Sequence, residues 1–274
     1  MKSFDGRVVA ITGAGSGIGR ALAVELAGRG ALLALSDIDA GGLAETVDLT
    51  KAAGVREVRS DVVDVASRPA VEQWAADVVG QLGRVNVLVN NAGVSLTGGF
   101  ADLDVDDMEW IVGINFWGVV YGTRAFLPHL IASGDGHVVT MSSLFGLVSI
   151  PGQSLYNATK YAVRGFSESL REELLIAGHP VGVTVVHPGG IKTAIARSAR
   201  VSWREDHAEF ARMFDERLAT MPPERAAEII LRGVLRGKPR VLVGLDAHVL
   251  HQFARVVGAR YQDVVARRAA WMRR

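Results

Sequence analysis

Tyr156 and Lys160 stand four residues apart in the run Ser154-Leu-Tyr-Asn-Ala-Thr-Lys160. If a helix begins near Ser154, a residue suited to capping it, both side chains emerge on one face and can share a cleft. A tyrosine ionises at a pKa of about 10 and is a poor base at neutral pH, but a nearby ammonium favours its phenolate. Ser143 follows the β-rich run from His137 to Ser142, so its hydroxyl lies where a strand ends and a loop opens. Strand ends of open α/β sheets are where ligands sit. Taken alone, Tyr-x-x-x-Lys is a weak signal, since the same pair arises on helix faces as a solvated lysine beside a half-buried tyrosine.

The elements that must position these residues read as alternating strands and helices. Arg7–Ile11 is a short buried strand that runs into Thr12-Gly13-Ala14-Gly15-Ser16-Gly17-Ile18-Gly19, and an apolar helical pattern continues through Leu22, Leu26 and Ala27. Strand, glycine turn and helix together form a phosphate cradle: glycines let the backbone approach a pyrophosphate, and the amides at a helix start favour negative charge. The spacing is T-G-x-x-x-G-x-G; the strict G-x-G-x-x-G is not met, because Ile18 stands where its last glycine would be. Leu32–Ser36 forms the next strand, closed by Asp37. A carboxylate there can accept from the adenosine ribose hydroxyls and would repel a 2′-phosphate, which favours NAD over NADP. The competing reading makes Asp37 the cap of a helix over 40–53, a task Asp39 could take instead.

Further strands are expected at 55–59, 85–89, 137–142, 181–187 and 240–244. Helices are expected from near Pro69, over about 106–129 with Asn115 inside, over 154–177, and from Pro222-Pro223 through Arg236. Repeated βα units with apolar strands imply an α/β fold: a single Rossmann-type, doubly wound parallel sheet of about seven strands with helices on both faces. The whole chain, 1–274, fits one domain. The segment 190–222 reads as a lid loop over the site. Ile195, Val201, Trp203, Phe210, Met213 and Phe214 include helically spaced pairs, so part of it forms a short amphipathic helix. From 245 to 274 the apolar Leu250, Phe253, Val257, Tyr261 and Val264 recur at three and four with arginines between them, giving a C-terminal basic helical extension. Such a helix packs on its own domain or a sister chain, or lies on a membrane as a peripheral contact.

Composition narrows the function classes. A chain of 274 residues with 49% hydrophobic content and net charge +1 can bury a large core and lacks the basic excess of a nucleic-acid surface. Cysteine is absent, which excludes disulfides, thiolate metal sites and cysteine nucleophiles and suits a reducing cytoplasm. The amino terminus shows no apolar signal core and no run is long enough for a membrane span, so a soluble cytoplasmic protein is expected. His248 and His251 have no cysteine neighbour and no His-Glu-x-x-His occurs, so no metal site is expected.

Taken together, Thr12-Gly13-x-x-x-Gly17-x-Gly19, Asp61-Val62, Asn90-Asn91-Ala92-Gly93, Asn115, Ser143, Tyr156-x-x-x-Lys160 and Pro188-Gly189-x-x-x-Thr193 resemble the short-chain dehydrogenase/reductase family over nearly all of 7–244. The resemblance implies that Tyr156 is the acid/base, that Lys160 lowers its pKa and holds the nicotinamide ribose, and that Ser143 binds the substrate oxygen. It also implies that Asn115 holds a water of a proton relay. Gly13, Ser16, Gly17, Ile18 and Gly19 would line the phosphates, Asp61 and Val62 the adenine, Asn91, Ala92 and Gly93 the cofactor wall, and Pro188, Gly189, Ile191 and Thr193 the nicotinamide side. Relatives that use NADP often carry a basic residue where Ser16 or Ile38 stands here. A homodimer or homotetramer is implied, built on the helices holding Asn115 and Tyr156, although this chain runs on past the last strand where many relatives stop. The reaction implied is hydride transfer between NAD(H) and a secondary alcohol or ketone, a hydrophobic one given Val94, Leu96, Phe100, Leu144, Leu147 and Ile150. The alternative is a silent nucleotide-binding sensor or interaction protein of the same fold, which would have no need of Tyr156, Lys160 and Ser143 together.

Overall fold

Residues 1–272 are described in a computed structural model. The chain runs β1 (Val8–Thr12), α1 (Gly17–Gly28), β2 (Leu32–Asp37), α2 (Ala40–Ala52), β3 (Val58–Val62), α3 (Arg68–Leu82) and β4 (Val87–Asn90). It continues through β5 (Leu96–Thr97), α4 (Val105–Val112), α5 (Gly118–Ala132), β6 (Gly136–Met141), α6 (Ser154–Ile176) and β7 (Val181–Pro188). The last elements are β8 (Arg200–Val201), α7 (His207–Met213), α8 (Pro223–Leu235), β9 (Arg240–Val243), α9 (Leu245–Val257) and α10 (Tyr261–Met272).

Seven strands form one parallel sheet in the order β3-β2-β1-β4-β6-β7-β9. The order reverses between β1 and β4, which opens a crevice above their carboxyl ends. The central strands are buried on both faces, as their continuous valine and leucine runs require. On one side Val9, Ile11, Leu22, Leu26, Ile230 and Leu231 pack α1 and α8 against the sheet. On the other, Trp74, Phe126, Leu130 and Leu170 bring in α3, α5 and α6, with Trp74 edge-on to Phe126.

Several sequence expectations shift. The third strand lies at Val58–Val62, not 55–59: Gly54 at φ +88° turns the chain out of α2, and an edge strand tolerates the polar Arg59, Ser60 and Asp61. The helix expected over 106–129 is interrupted by a π turn at Gly113–Trp117 carrying Asn115. Ser154 is the first residue of α6 and caps nothing; Gln153 precedes it without a side-chain bond. The single C-terminal helix expected is two, because Gly258 at φ +63° breaks it. Arg273 and Arg274 of the terminal basic run lie outside the described residues. The 190–222 segment holds the short helix α7, a π turn at Phe214–Leu218, and β8, which pairs in parallel with β5 as a separate two-stranded ribbon.

Candidate active site

β6 and α6 bring the proposed chemistry together at the carboxyl edge of the sheet. β6 ends at Met141, and Ser143 opens a short 3₁₀ turn over Leu144–Gly146 with its hydroxyl accepting from the Phe145 amide at 3.1 Å. Ser143 stands close enough to the Tyr156 hydroxyl to favour its ionised form. Lys160, one helical turn beyond Tyr156, has its Nζ 5.6 Å from the phenol ring centroid and donates to the Met141 carbonyl at 3.1 Å. Ser142 fixes the same helix by donating to the Lys160 carbonyl at 2.8 Å. Phe145 meets the Tyr156 ring edge-on at 6.3 Å.

Asn115 reaches this group from the π turn. Its Oδ1 accepts from the Val94 amide at 2.8 Å, and its Nδ2 donates to the Val94 carbonyl at 2.9 Å and to Thr159 at 3.3 Å. Both ends of the amide are thus tied to the segment after β4, and the register slip that puts it there is the π turn itself. A Cβ built on Gly93 would lie 3.2 Å from Asn115 Oδ1 and 3.3 Å from Lys160 Nζ, so the glycine leaves room where those two groups converge.

Burial works against the phenolate that Lys160 is expected to favour. Burial raises the Tyr156 pKa, and the hydrogen bond to Ser143 lowers it only in part. Burial likewise pushes the Lys160 ammonium down to about 8. Both follow from removing charge from water. In the chain by itself, burial therefore favours the protonated phenol.

The residues fit a dinucleotide. A Cβ on Gly13 would sit 2.7 Å from Ala92 Cα, and Gly17 takes φ +52° beside Thr193. A Cβ on Gly19 would lie 2.0 Å from the Gly13 carbonyl oxygen. Ser16, the N-cap of α1, makes no side-chain cap bond, so its hydroxyl does not occupy the first amides of the helix, with Ile18 in its first turn. Asn91 binds the turn through its Nδ2 to the carbonyls of Thr12 at 3.0 Å and Gly13 at 2.9 Å. Asp37 accepts from the amides of Gly15 at 2.7 Å and Asp39 at 3.0 Å, whereas Asp39 is the residue that caps α2. Asp37 pairs in register with Val62, and the exposed Ile38 and Val62 (69% and 62%) directly follow Asp37 and Asp61 in the chain. Asp61 is ion-paired with Arg59, accepting from it at 2.6 and 2.7 Å.

The opposite wall comes from the end of β7. Gly189 donates to the Val243 carbonyl at 2.8 Å, and Gly190 donates to the Asp246 carboxylate at 2.8 Å. Asp246 belongs to the first turn of α9, reached through Gly244 at φ +106°. The Gly190 carbonyl accepts from Thr220 and Met221, and Ile191 bridges to Met221, which closes the base of the 190–222 segment. Pro188, Gly189, Ile191 and Thr193 thus lie between the last strand, the first turn of α9 and the base of the 190–222 segment.

Some expected pocket walls face elsewhere. Leu144 packs with Val148, Ala247 and Tyr261 under the C-terminal helices, and Leu147 lines a crevice with Tyr261 and Ala254. The apolar surroundings of Tyr156 are Leu96 and Ile111 with Val94, Leu103, Phe145 and Ile195. Sequence reading missed His187, a buried residue at the end of β7 whose Nδ1 is 2.8 Å from the Ser143 carbonyl. Burial lowers its pKa to about 4, so the ring is neutral and Nδ1 carries the proton it donates. It also missed Asp246 and Arg59; the pairing Arg59-x-Asp61 on one strand face was the only available signal.

No described helix is long and apolar enough to cross a membrane, and no group of His, Asp and Glu among the described residues could hold a metal ion. The short chain dehydrogenase family model matches residues 7–203. SadH of Mycobacterium tuberculosis, named as an oxidoreductase, is 56% identical over 266 residues, covering 97% of this chain and 96% of its own. Epidermal retinol dehydrogenase 2 of Mus musculus is 39% identical over 195 residues, covering 71% of this chain and 63% of its own. The crystal structure of a short chain dehydrogenase/reductase from Burkholderia phymatum in complex with NAD superposes with a TM-score of 0.87 at 31% identity, covering 96% of this chain and 97% of that one. A parallel sheet in this order, a glycine turn feeding α1, and this degree of likeness along the chain establish it as a member of the short-chain dehydrogenase/reductase family of oxidoreductases.

Proposed function

We propose that the protein transfers hydride between NAD(H) and a hydrophobic secondary alcohol or ketone, with Tyr156 as acid/base. One observation carries the reading: Tyr156 lies within reach of Ser143 and beside Lys160, and the side chains packed on its ring include Leu96, Ile111 and Phe145. The nicotinamide, when bound, supplies the hydride acceptor or donor and a positive charge. Ser143 orients the substrate oxygen toward Tyr156. In alcohol oxidation Tyr156, as phenolate, takes the hydroxyl proton; in ketone reduction it returns that proton to the carbonyl oxygen. Lys160 holds the nicotinamide ribose and, with the ring charge, offsets the burial that keeps the phenol neutral. Asn115 holds a water that links Lys160 to solvent.

NAD is the cofactor proposed. Asp37 presents a carboxylate at the end of β2 where a 2′-phosphate would lie, and neither Ser16 nor Ile38 offers a cation to receive one. The apolar alcohol is supported by the residues around Tyr156 and by likeness to a protein named for retinol. The test is a panel of secondary alcohols and ketones with NAD and NADH, repeated with Tyr156→Phe. Loss of roughly 10² to 10⁴-fold in kcat/KM with NADH binding intact is expected, the span assigned to acid/base assistance. Unchanged turnover in that variant would end the proposal.

A further inference from the structure

The C-terminal helices carry two surface features side by side. Along α9 the 3.6-residue period sets Leu245, Val249 and Val256 within about 40° of one another, on one face. All three point to solvent, at 79%, 57% and 85% exposure, while Ala247, Phe253, Ala254 and Val257 pack inward. The helix is thus apolar on both sides, and only one side is covered by its own domain.

Next to this stripe, α8, β9 and α9 enclose a crevice of about 450 Å³. Arg232, Arg236, Lys238, Arg240, His248 and His251 stand around it, and no carboxylate lines it. Arg240 is ion-paired with Glu168, but Arg232, Arg236 and Lys238 have no carboxylate partner among the described residues. A second crevice of about 260 Å³ shares Arg240 and His251 and adds Arg164 and Arg255. His248, His251 and Gln252 of α9 form the wall between the stripe and the cations.

We propose that this face docks on an anionic lipid surface, the stripe entering the interfacial layer and the crevice receiving headgroup phosphates. Such a partner satisfies both features. A soluble phosphoester would answer the cations and leave the stripe wet, and a second copy of this face would bring like charges together. Basic residues beside an apolar helix face are the combination that draws proteins to anionic bilayers.

The test is co-sedimentation of the full chain with vesicles of phosphatidylcholine alone and of phosphatidylcholine with roughly one-third phosphatidylglycerol. Binding is expected only to the anionic vesicles and to weaken as salt shortens the screening length. Val249→Glu with Val256→Glu, and separately Arg232→Glu with Arg236→Glu, should each reduce it roughly tenfold or more while NADH binding stays intact. Absence of sedimentation with anionic vesicles would overturn the proposal, as would equal binding to both vesicle types. So would size-exclusion data in which Val249→Glu with Val256→Glu dissociates a dimer, or tight pyrophosphate binding at saturating NADH that this stripe variant leaves intact.

Discussion

The carboxylate of Asp246 accepts the Gly190 amide at 2.8 Å, joining the first turn of α9 to the turn that follows β7. A Cβ on Gly189 would lie 2.1 Å from the same carboxylate, so the two segments touch with no space between them. The first turn of α9 is therefore part of the frame around the turn that follows β7.

Asp246→Ala should weaken NADH binding by about five- to thirtyfold, the span expected when a part-buried amide loses a charged acceptor worth about 1–2 kcal/mol. Asp246→Asn keeps an acceptor oxygen and should lose less. Fluorescence titration with NADH measures both, and equal affinities across wild type and the two variants would show that the bond does not shape the cleft.

Cofactor choice should respond to Asp37. Asp37→Ala removes the charge that opposes a 2′-phosphate, and the NADP-to-NAD ratio of kcat/KM should rise by about 10- to 100-fold. Steady-state kinetics with each cofactor reads it; a ratio that does not move would place the discrimination elsewhere.

Gly19→Ala tests the tightness of the glycine turn. Its methyl would meet the Gly13 carbonyl oxygen at 2.0 Å, so helix α1 and the turn cannot both keep their places. Overpacking of this kind costs about 1–3 kcal/mol, and loss of NADH binding should come with it. Denaturant unfolding and NADH titration on the same sample would contradict this if both matched wild type.

Acid should destabilise the fold through two buried histidines. Burial lowers both His137 and His187 from 6.5 to about 4. With folded values below the unfolded one, the unfolded chain takes up protons first. The stability is complete above pH about 6.5 and falls as pH drops toward 4, by about 2 kcal/mol per histidine between pH 7 and 5. Urea midpoints measured across that range should decline, and a flat profile would mean that neither ring is held neutral.

Much of the fold and the positions of the candidate site were legible because their signals are local. The glycine turn, the four-residue spacing of Tyr156 and Lys160, and the strand before Ser143 each declare themselves within a few residues. What escaped depends on distant partners. The π turn at Asn115 exists because its amide is drawn to Val94, and His187 and Asp246 act on backbone groups 44 and 56 residues away. β3 was displaced because an edge strand carries Arg59 and Asp61, which apolar periodicity passes over. Leu144 and Leu147 were read as substrate walls since nothing in the sequence shows that the C-terminal helices fold back over them.

The pairing of β5 with β8 fixes the middle of the 190–222 segment to the stretch after β4, and Ile191 fixes its base to Met221. The stretch from 203 to 218 between these anchors is tethered at the surface by ion pairs of Arg204 with Asp102 and of Asp215 with Arg197, and its helix α7 has no fully buried residue. Displacing it would break surface ion pairs and uncover half-buried rather than fully buried side chains, so we expect this short flap to be the doorway, its swing setting how bulky a substrate can enter and how fast the product departs.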